Sequence, residues 1–286
     1  AHYLLFYTVI KFFSITAPVL IKALRTASVI LPLAFILASV LIMRFANFLV
    51  RLFYAMTAAW LGFMLYFFLA CVLLYAILFL SKIFSFSLNP QFLTISLLLA
   101  AAAIGVYGLV AANHVKVKNF DIHLPNLPAA WQGKTAVWVS DLHLGVINNY
   151  DFAARIAKQI DSLHPDLLFI GGDFYDGQEN IDLDKLALTF AAINAPAGKF
   201  FITGNHEEFG DNTKFTSAIT RSGIKFLNNE LVELNGLQII GLDYRAAYSR
   251  NDFAAILKKL NINKNLPGIL LRHVPDKVDV AREFGI

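Results

Sequence analysis

The first 112 residues contain no aspartate or glutamate, and the first acidic residue of the chain is Asp121. This stretch carries six basic residues, whereas the remainder carries 18 basic and 20 acidic residues. A soluble domain of that size would need charged residues of both signs on its surface. The long stretch without carboxylates therefore argues against a soluble core. It predicts a membrane domain in residues 1–112 and a second domain in residues 113–286.

Four apolar runs in the membrane domain approach or exceed the roughly 20 residues that a helix needs to cross a bilayer. They cover approximately residues 3–21, 27–43, 55–80 and 91–112. Lys11 and Pro18 weaken the first run, which taken alone also resembles a signal peptide. Four successive runs favour a multi-pass α-helical transmembrane domain of about four helices. The last two runs have no ionisable residue near the middle, so transport is the weakest hypothesis.

The basic residues beside these runs give a small asymmetry between the two sides of the membrane. With four spans, Arg44, Arg51, Lys116 and Lys118 share the side of the second domain, whereas Lys22, Arg25 and Lys82 lie opposite. Because cytoplasmic loops are enriched in lysine and arginine, this leans towards a cytoplasmic second domain. The high pI, about 9.0, therefore reflects charge beside the membrane, and no nucleic-acid partner is expected.

The second domain alternates short apolar runs with segments of helical periodicity. Strands are predicted within 114–120, 135–145, 165–177, 198–210 and 267–276, and helices near 150–164, 183–193, 211–222, 251–260 and after Asp276. Asn235-Gly236, between two further apolar runs, predicts a hairpin turn. This alternation indicates an α/β layered domain with a mixed sheet.

Four of the predicted strands end in residues that can bind a metal ion or a phosphate. These residues are Asp141 and His143, Asp173, Asn205 and His206, and His273. In open α/β sheets, ligands bind beyond the carboxyl ends of the strands. We therefore expect these side chains to converge on one site.

The chemistry of these residues favours a metal site. Carboxylates and imidazoles suit Zn²⁺, Mn²⁺ or Fe, and the two oxygens of Asp173 can bridge two ions. Two ions about 3.5–4 Å apart can hold a phosphate and activate water. A single Asp-x-His or Gly-Asp pair is common by chance, and His143 or His273 alone can be a satisfied core histidine. The hypothesis rests on the coincidence of several strand ends.

The segments SDLHLG, GGDFYDG, GNHEEF and LLRHVPD resemble, in order and spacing, the motifs of the calcineurin-like metallophosphoesterases. The resemblance covers about residues 113–286. The membrane domain is more loosely similar to that of the membrane-anchored bacterial branch of the family. The resemblance implies a four-layer α/β/β/α sandwich with two divalent metal ions.

Carried over position by position, the resemblance implies five metal ligands. Asp141 and His143 would bind the first ion, and Asp173 would bridge both ions. Asn205 and His273 would bind the second ion.

The resemblance also implies roles for three residues that are not ligands. His206 would be the catalytic residue, contacting the phosphate and helping to protonate the leaving group. An acidic neighbour such as Glu207 would orient His206. Asp176 would not bind an ion itself but would support the residues that do.

The family's final Gly-His-x-His motif, which supplies one histidine to each ion, is missing from the sequence. No histidine follows His273, so the chain holds five of about seven ligands. We expect truncation, with the motif beyond Ile286.

The leading hypothesis is a membrane-anchored, metal-dependent hydrolase of a phosphate mono- or diester, for which a lipid-linked ester is a candidate. The alternative is a catalytically weak or inactive membrane protein whose phosphoesterase-like domain binds a partner or phospholipid.

Overall fold

The computed structural model describes residues 1–45, 47–177, 181–208, 212–245 and 249–286. The chain divides into two compact units, Ala1–Phe120 and Asp121–Ile286. The boundary predicted at 112/113 coincides with the end of the last apolar helix, and we retain it as a proposal.

The described part of the first unit contains four helices. They are α1 (His2–Phe12), α2 (Pro18–Arg44), α3 (Phe48–Ile83) and α4 (Pro90–Ala112). By length and composition, α2, α3 and α4 can each cross a membrane. Most side chains in their apolar windows are not buried within the unit. Helices with apolar side chains on all sides are typical of a bundle whose outer surface contacts lipid.

The first predicted run, residues 3–21, differs from the expectation of one continuous helix. Helix α1 has only 11 residues, which is too short to span a bilayer alone. Ser14 adopts a φ of 51°, and Ala17 has an extended backbone before Pro18, the first residue of α2. Proline disfavours the helical conformation in the residue before it, here Ala17, and this break separates α1 from α2.

Close helix packing in the first unit depends on small residues. A Cβ atom on Gly105 of α4 would lie 2.4 Å from ring carbons of Phe63 in α3, so the two helices are too close there for any side chain. Several other small residues are buried in the bundle, namely Thr8, Ala38, Thr57, Ala70, Cys71, Thr94 and Ala101. Small residues are enriched where membrane helices meet, because they let the backbones approach.

We predict that Gly105→Ala lowers the melting temperature of the full chain in detergent, because the added methyl group displaces the Phe63 ring. Overpacking of this kind costs about 1–3 kcal/mol. Gly108→Ala is the matched control in the same helix, since nothing lies within 4 Å of a Cβ atom there. Both changes favour the helix equally through backbone propensity. Equal melting temperatures for the two variants would contradict this packing.

The second unit contains two β-sheets. The first sheet is fully parallel, in the order β1 (Ala136–Val139), β2 (Leu167–Ile170), β3 (Gly198–Phe201) and β4 (Lys225–Phe226). In the second sheet β5 (Glu230–Leu234) pairs antiparallel with β6 (Leu237–Gly241), which pairs parallel with β7 (Gly268–Leu271). The helices are α5 (Tyr150–Asp161), α6 (Leu183–Ala191), α7 (Thr213–Arg221), α8 (Arg250–Lys259) and α9 (Val278–Glu283).

Three buried clusters show that this unit has four layers. On β2, Leu168 and Ile170 pack in a cluster with residues of α5, α6 and α7, whereas Leu167 and Phe169 pack in a cluster with residues of β6 and β7. On the far face of β6, Ile240 packs with residues of α8 and α9. Alternate residues of a strand point to opposite faces, so β2 of the first sheet and β6 of the second are each covered on both sides. The predicted α/β/β/α sandwich is therefore confirmed.

Two local predictions had different outcomes. The hairpin at Asn235-Gly236 is confirmed: it joins β5 to β6, with φ angles of 47° and 82°. The strand predicted at 114–120 is wrong, because residues 114–120 are exposed and pair with none of the strands that the structure describes. Alternation of apolar and polar residues indicates a strand only where a sheet edge is available for pairing.

Candidate metal centre

The loops after β1 and β2 are joined to each other by backbone hydrogen bonds. The N–H of Asp141 donates to the carbonyl oxygen of Gly172 at 3.1 Å, and the N–H of His143 donates to that of Asp173 at 2.9 Å. Asp141, His143 and Asp173 have φ angles of 57°, 45° and 49°, in the left-handed region. Such conformations cost about 1–3 kcal/mol each and cluster at functional sites. The fold therefore holds these donors in place against local backbone preference.

Glu207 joins the loops after β2 and β3. Its side chain is fully buried, and its Oε2 accepts hydrogen bonds from the N–H groups of Asp173 and Gly204, each at 2.9 Å. Its Oε1 accepts from the N–H of Tyr175, also at 2.9 Å. Burial raises the pKa of the Glu207 carboxyl, and these three N–H donors oppose that rise. One carboxylate thus satisfies three buried donors in two loops.

Asp173 lies at the centre of the site and is almost fully buried. Its Oδ1 accepts a hydrogen bond from the backbone N–H of His206 at 2.9 Å. A Cβ atom on Gly204 would lie 2.2 Å from the same oxygen, so the close approach of the loops requires glycine there. The other oxygen, Oδ2, faces two imidazoles.

One of these imidazoles, His273, follows β7 and so comes from the second sheet. Its Nδ1 lies 2.8 Å from the carbonyl oxygen of Gly171, in the loop after β2. A carbonyl oxygen can only accept, so Nδ1 carries a proton, and in the neutral ring the lone pair is on Nε2. That Nε2 lies 3.6 Å from Oδ2 of Asp173. A second hydrogen bond that fixes the tautomer in this way is typical of histidines that ligate metals.

His143 and His206 lie against each other beside Asp176. Their rings meet edge to face with centroids 4.4 Å apart, and each Nδ1 lies 3.7 Å from Oδ1 of Asp176. The Nε2 of His143 lies 3.7 Å from Oδ2 of Asp173. Burial raises the pKa of Asp176, and the two histidines oppose that rise.

The donor atoms form two groups that share Asp173. One group is His143, Asp173 and His206, and the other is Asp141, Asp173 and His273; the donor atoms within each group lie within 4.8 Å of one another. Carboxylate and imidazole donors at such distances suit Zn²⁺, Mn²⁺ or Fe, so the residues fit divalent metals.

The two groups divide the residues differently from the ligand scheme implied by the resemblance, which places Asp141 with His143 on one ion. Asn205 lies half-buried between Gly204 and His206, on the same loop. The assignment of each ligand to an ion, and the place of Asn205 among the ligands, stay predictions.

Sequence reasoning misjudged one acidic residue, Glu207, whereas Asp176 lies beside the proposed ligand His143 as expected. Glu207, expected to orient His206, instead accepts the three backbone hydrogen bonds described above, and Asp176 is the carboxylate beside the His206 ring. The sequence contains one indication, since Glu207 closely follows an apolar run and Gly204, a position that favours a buried side chain. Which backbone groups it would meet depends on a loop 32 or more residues earlier in the chain.

A profile of the family described as calcineurin-like phosphoesterase matches residues 135–285. The chain belongs to this family. It is thus a metallophosphoesterase, in the class of phosphoric ester hydrolases, and the membrane-capable helices and membrane relatives make it a membrane protein.

Three relatives show the range of similar proteins. An "Uncharacterized metallophosphoesterase" of Aquifex aeolicus is 29% identical, over 61% of this chain and 68% of that protein. The "UDP-2,3-diacylglucosamine pyrophosphatase LpxG" of Chlamydia muridarum is 26% identical, over 65% of this chain and 72% of its own. A "Transmembrane protein with metallophosphoesterase domain" of Danio rerio is 33% identical, over 48% of this chain and 31% of its own. The chain spans less than half the length of several relatives, and no solved structure matches it significantly.

We predict that Glu207→Gln destabilises this metallophosphoesterase and lowers its content of bound Mn²⁺. A Gln side chain has one acceptor oxygen for three N–H groups, and an unsatisfied buried donor costs about 1–3 kcal/mol. The melting temperature and the metal content measured by mass spectrometry test this together. Glu233→Gln is the matched control, because Glu233 is exposed on β5. If both variants behave like the wild type, Glu207 does not hold the loops.

Proposed function

We propose that this metallophosphoesterase hydrolyses a phosphate ester at a dimetal centre built on Asp173. The observation that carries the proposal is the position of Asp173 in both donor groups, where the loops after β1, β2 and β3 and the end of β7 meet. A shared carboxylate allows two cations to sit at the short separation that phosphate hydrolysis uses.

Five residues of the centre would hold the ions, and His206 would transfer a proton. Asp141, His143, Asp173, Asn205 and His273 would hold two divalent ions, which when bound neutralise phosphate charge and lower the pKa of water. The hydrogen bond from Nδ1 of His273, which turns its Nε2 towards Asp173, and the buried carboxylate of Asp173 suit that role.

His206 would act as the catalytic acid. The backbone N–H of His206 donates to Asp173 Oδ1, and its Nδ1 lies 3.7 Å from Oδ1 of Asp176. A proton held on this ring can pass to the leaving oxygen as the ester bond breaks. Asp176 would then position the His206 ring.

The substrate we propose is a lipid-linked phosphate ester, with a diphosphate linkage as the leading candidate. Two observations support it. The chain carries three helices that can span a membrane, which would keep the site close to lipids. The Chlamydia muridarum relative is named as a pyrophosphatase of a diacylated sugar nucleotide. A cytoplasmic site stays a prediction, because α1 is too short to span: with Lys11 counted beside Lys22, Arg25 and Lys82, each side carries four basic residues.

We predict that Asp173→Asn removes both bound Mn²⁺ and phosphodiesterase activity from the full chain. The amide loses the negative charge and one of the two oxygen donors, so hydrolysis of bis(p-nitrophenyl) phosphate should fall at least about 100-fold. Chelation of the wild type should abolish the same activity, and Mn²⁺ should restore it. Asp151→Asn, at an exposed position in the first turn of α5, is the control.

Two results would count against this proposal. Undiminished activity in Asp173→Asn would exclude the dimetal centre. Stoichiometric metal without turnover of any ester in the wild type would favour the alternative, a membrane protein that binds a partner or phospholipid without hydrolysis.

We also predict a preference for lipid-linked substrate. In mixed micelles, kcat/KM for an acylated diphosphate ester should exceed that for its soluble, deacylated counterpart by at least about 10-fold, because apolar burial of the chains adds binding energy. Equal values across a range of surface concentrations would indicate that the membrane helices do not contribute to substrate selection.

A further inference from the structure

The loop after β6 brings an arginine to the edge of the proposed metal centre. Tyr244 in this loop lies with its ring 5.9 Å from that of His273, in an edge-to-face arrangement. The next residue, Arg245, is exposed, and its backbone N–H donates to Oδ1 of Asp243 at 2.9 Å. Arg245 is therefore adjacent in sequence to a residue that contacts a proposed metal ligand.

The Arg245 side chain is held from a second direction by Glu208. One Nη atom donates to the backbone carbonyl oxygen of Glu208, and Nε lies 3.6 Å from its Oε2. Glu208 is itself almost fully buried, and its Oε1 accepts a hydrogen bond from Nδ2 of Asn212 at 2.9 Å. Since Glu208 is two residues beyond His206, the guanidinium links the loop of His206 to the loop beside His273.

These contacts leave part of the guanidinium available. The side chain of Arg245 is 61% exposed. Its second Nη atom has no hydrogen-bond partner among the residues that the structure describes. A guanidinium has five N–H donors in a planar fork that fits phosphate oxygens. Glu208 thus orients the fork without using all of its donors.

Arg272 provides an internal comparison. It also neighbours a proposed ligand, His273, but its guanidinium lies over the Phe253 ring at 4.7 Å and its Nη1 pairs with Asp276 Oδ1 at 2.5 Å. Its side chain is only 11% exposed. Arg272 therefore serves packing in the second unit, whereas Arg245 presents its charge outward.

We propose that Arg245 binds the non-reacting phosphate of a diphosphate-linked substrate. This inference rests on the proposed function. The reacting phosphate would lie at the ions, whose charge already neutralises it. A cation on the adjoining loops would therefore serve a second anionic group, one bond further along the substrate. Arg245 would add little to the binding of an ester that contains a single phosphate.

The test compares two substrates in the Mn²⁺-loaded full chain in detergent. Arg245→Gln should lower kcat/KM for a nucleoside diphosphate ester about 10- to 100-fold more than for bis(p-nitrophenyl) phosphate, mainly through KM. Arg245→Lys should recover part of this loss, since it keeps the charge but lacks the fork. Arg250→Gln is the control: Arg250 is similarly exposed and pairs with Asp279 and Glu283 on α9.

Each outcome decides the proposal. An equal loss for both substrates, or a lower melting temperature without a change in selectivity, would show that Arg245 only holds the loops together and would overturn the inference. If the wild type hydrolyses neither substrate, the proposed function fails, and equilibrium binding of ADP compared with AMP still tests Arg245. Arg245→Gln should then weaken ADP binding about 10-fold more than AMP binding, and equal weakening would overturn the inference.

Discussion

The candidate metal centre depends on one buried carboxylate that satisfies three backbone donors. Glu207 accepts hydrogen bonds from Asp173, Tyr175 and Gly204, and so fixes the loop after β2 against the loop after β3. Burying a carboxylate is costly unless it is fully hydrogen-bonded, and loops that turn away from a parallel sheet leave N–H groups unpaired. Here the three backbone N–H groups provide hydrogen bonds for the buried carboxylate, and the carboxylate provides acceptors for those N–H groups. The arrangement places Asp173 and His206 in direct contact, and the hydrogen bond from the His206 N–H to Asp173 Oδ1 joins the same two loops.

The rest of the centre follows from the packing of two sheets. Asp141, His143 and Asp173 follow neighbouring parallel strands of the first sheet, whereas His273 follows a strand of the second sheet and donates to the Gly171 carbonyl oxygen. The apolar cluster between the sheets, which includes Phe169 and Ile239, sets the distance between them. A change in that cluster would therefore move His273 relative to Asp173, so the stability of the core and the geometry of the centre are coupled.

The side chains of the two units differ as expected for a unit that contacts lipid and a unit that contacts water. In the first unit, close approach of helices relies on small residues such as Gly105, since burial of apolar groups gains little in lipid. In the second unit, large apolar residues on both faces of the strands provide the driving force.

Composition and local pattern were enough to predict much of this protein. The long stretch without carboxylates marked the membrane helices, and Asn235-Gly236 marked the hairpin. The polar ends of four apolar runs marked as neighbours Asp141, His143, Asp173, His206 and His273. These features are local, because they depend on solvent, on backbone conformation or on strand direction.

Tertiary structure alone decided the features that depend on distant partners. The alternating segment 114–120 forms no strand because none of the described strands pairs with it. Glu207 bonds to backbone groups instead of to His206, and Arg245 bonds to Glu208 across two loops. A hydrogen-bond partner more than 30 residues away leaves no periodic trace in the sequence, and it is determined only when the loops have packed.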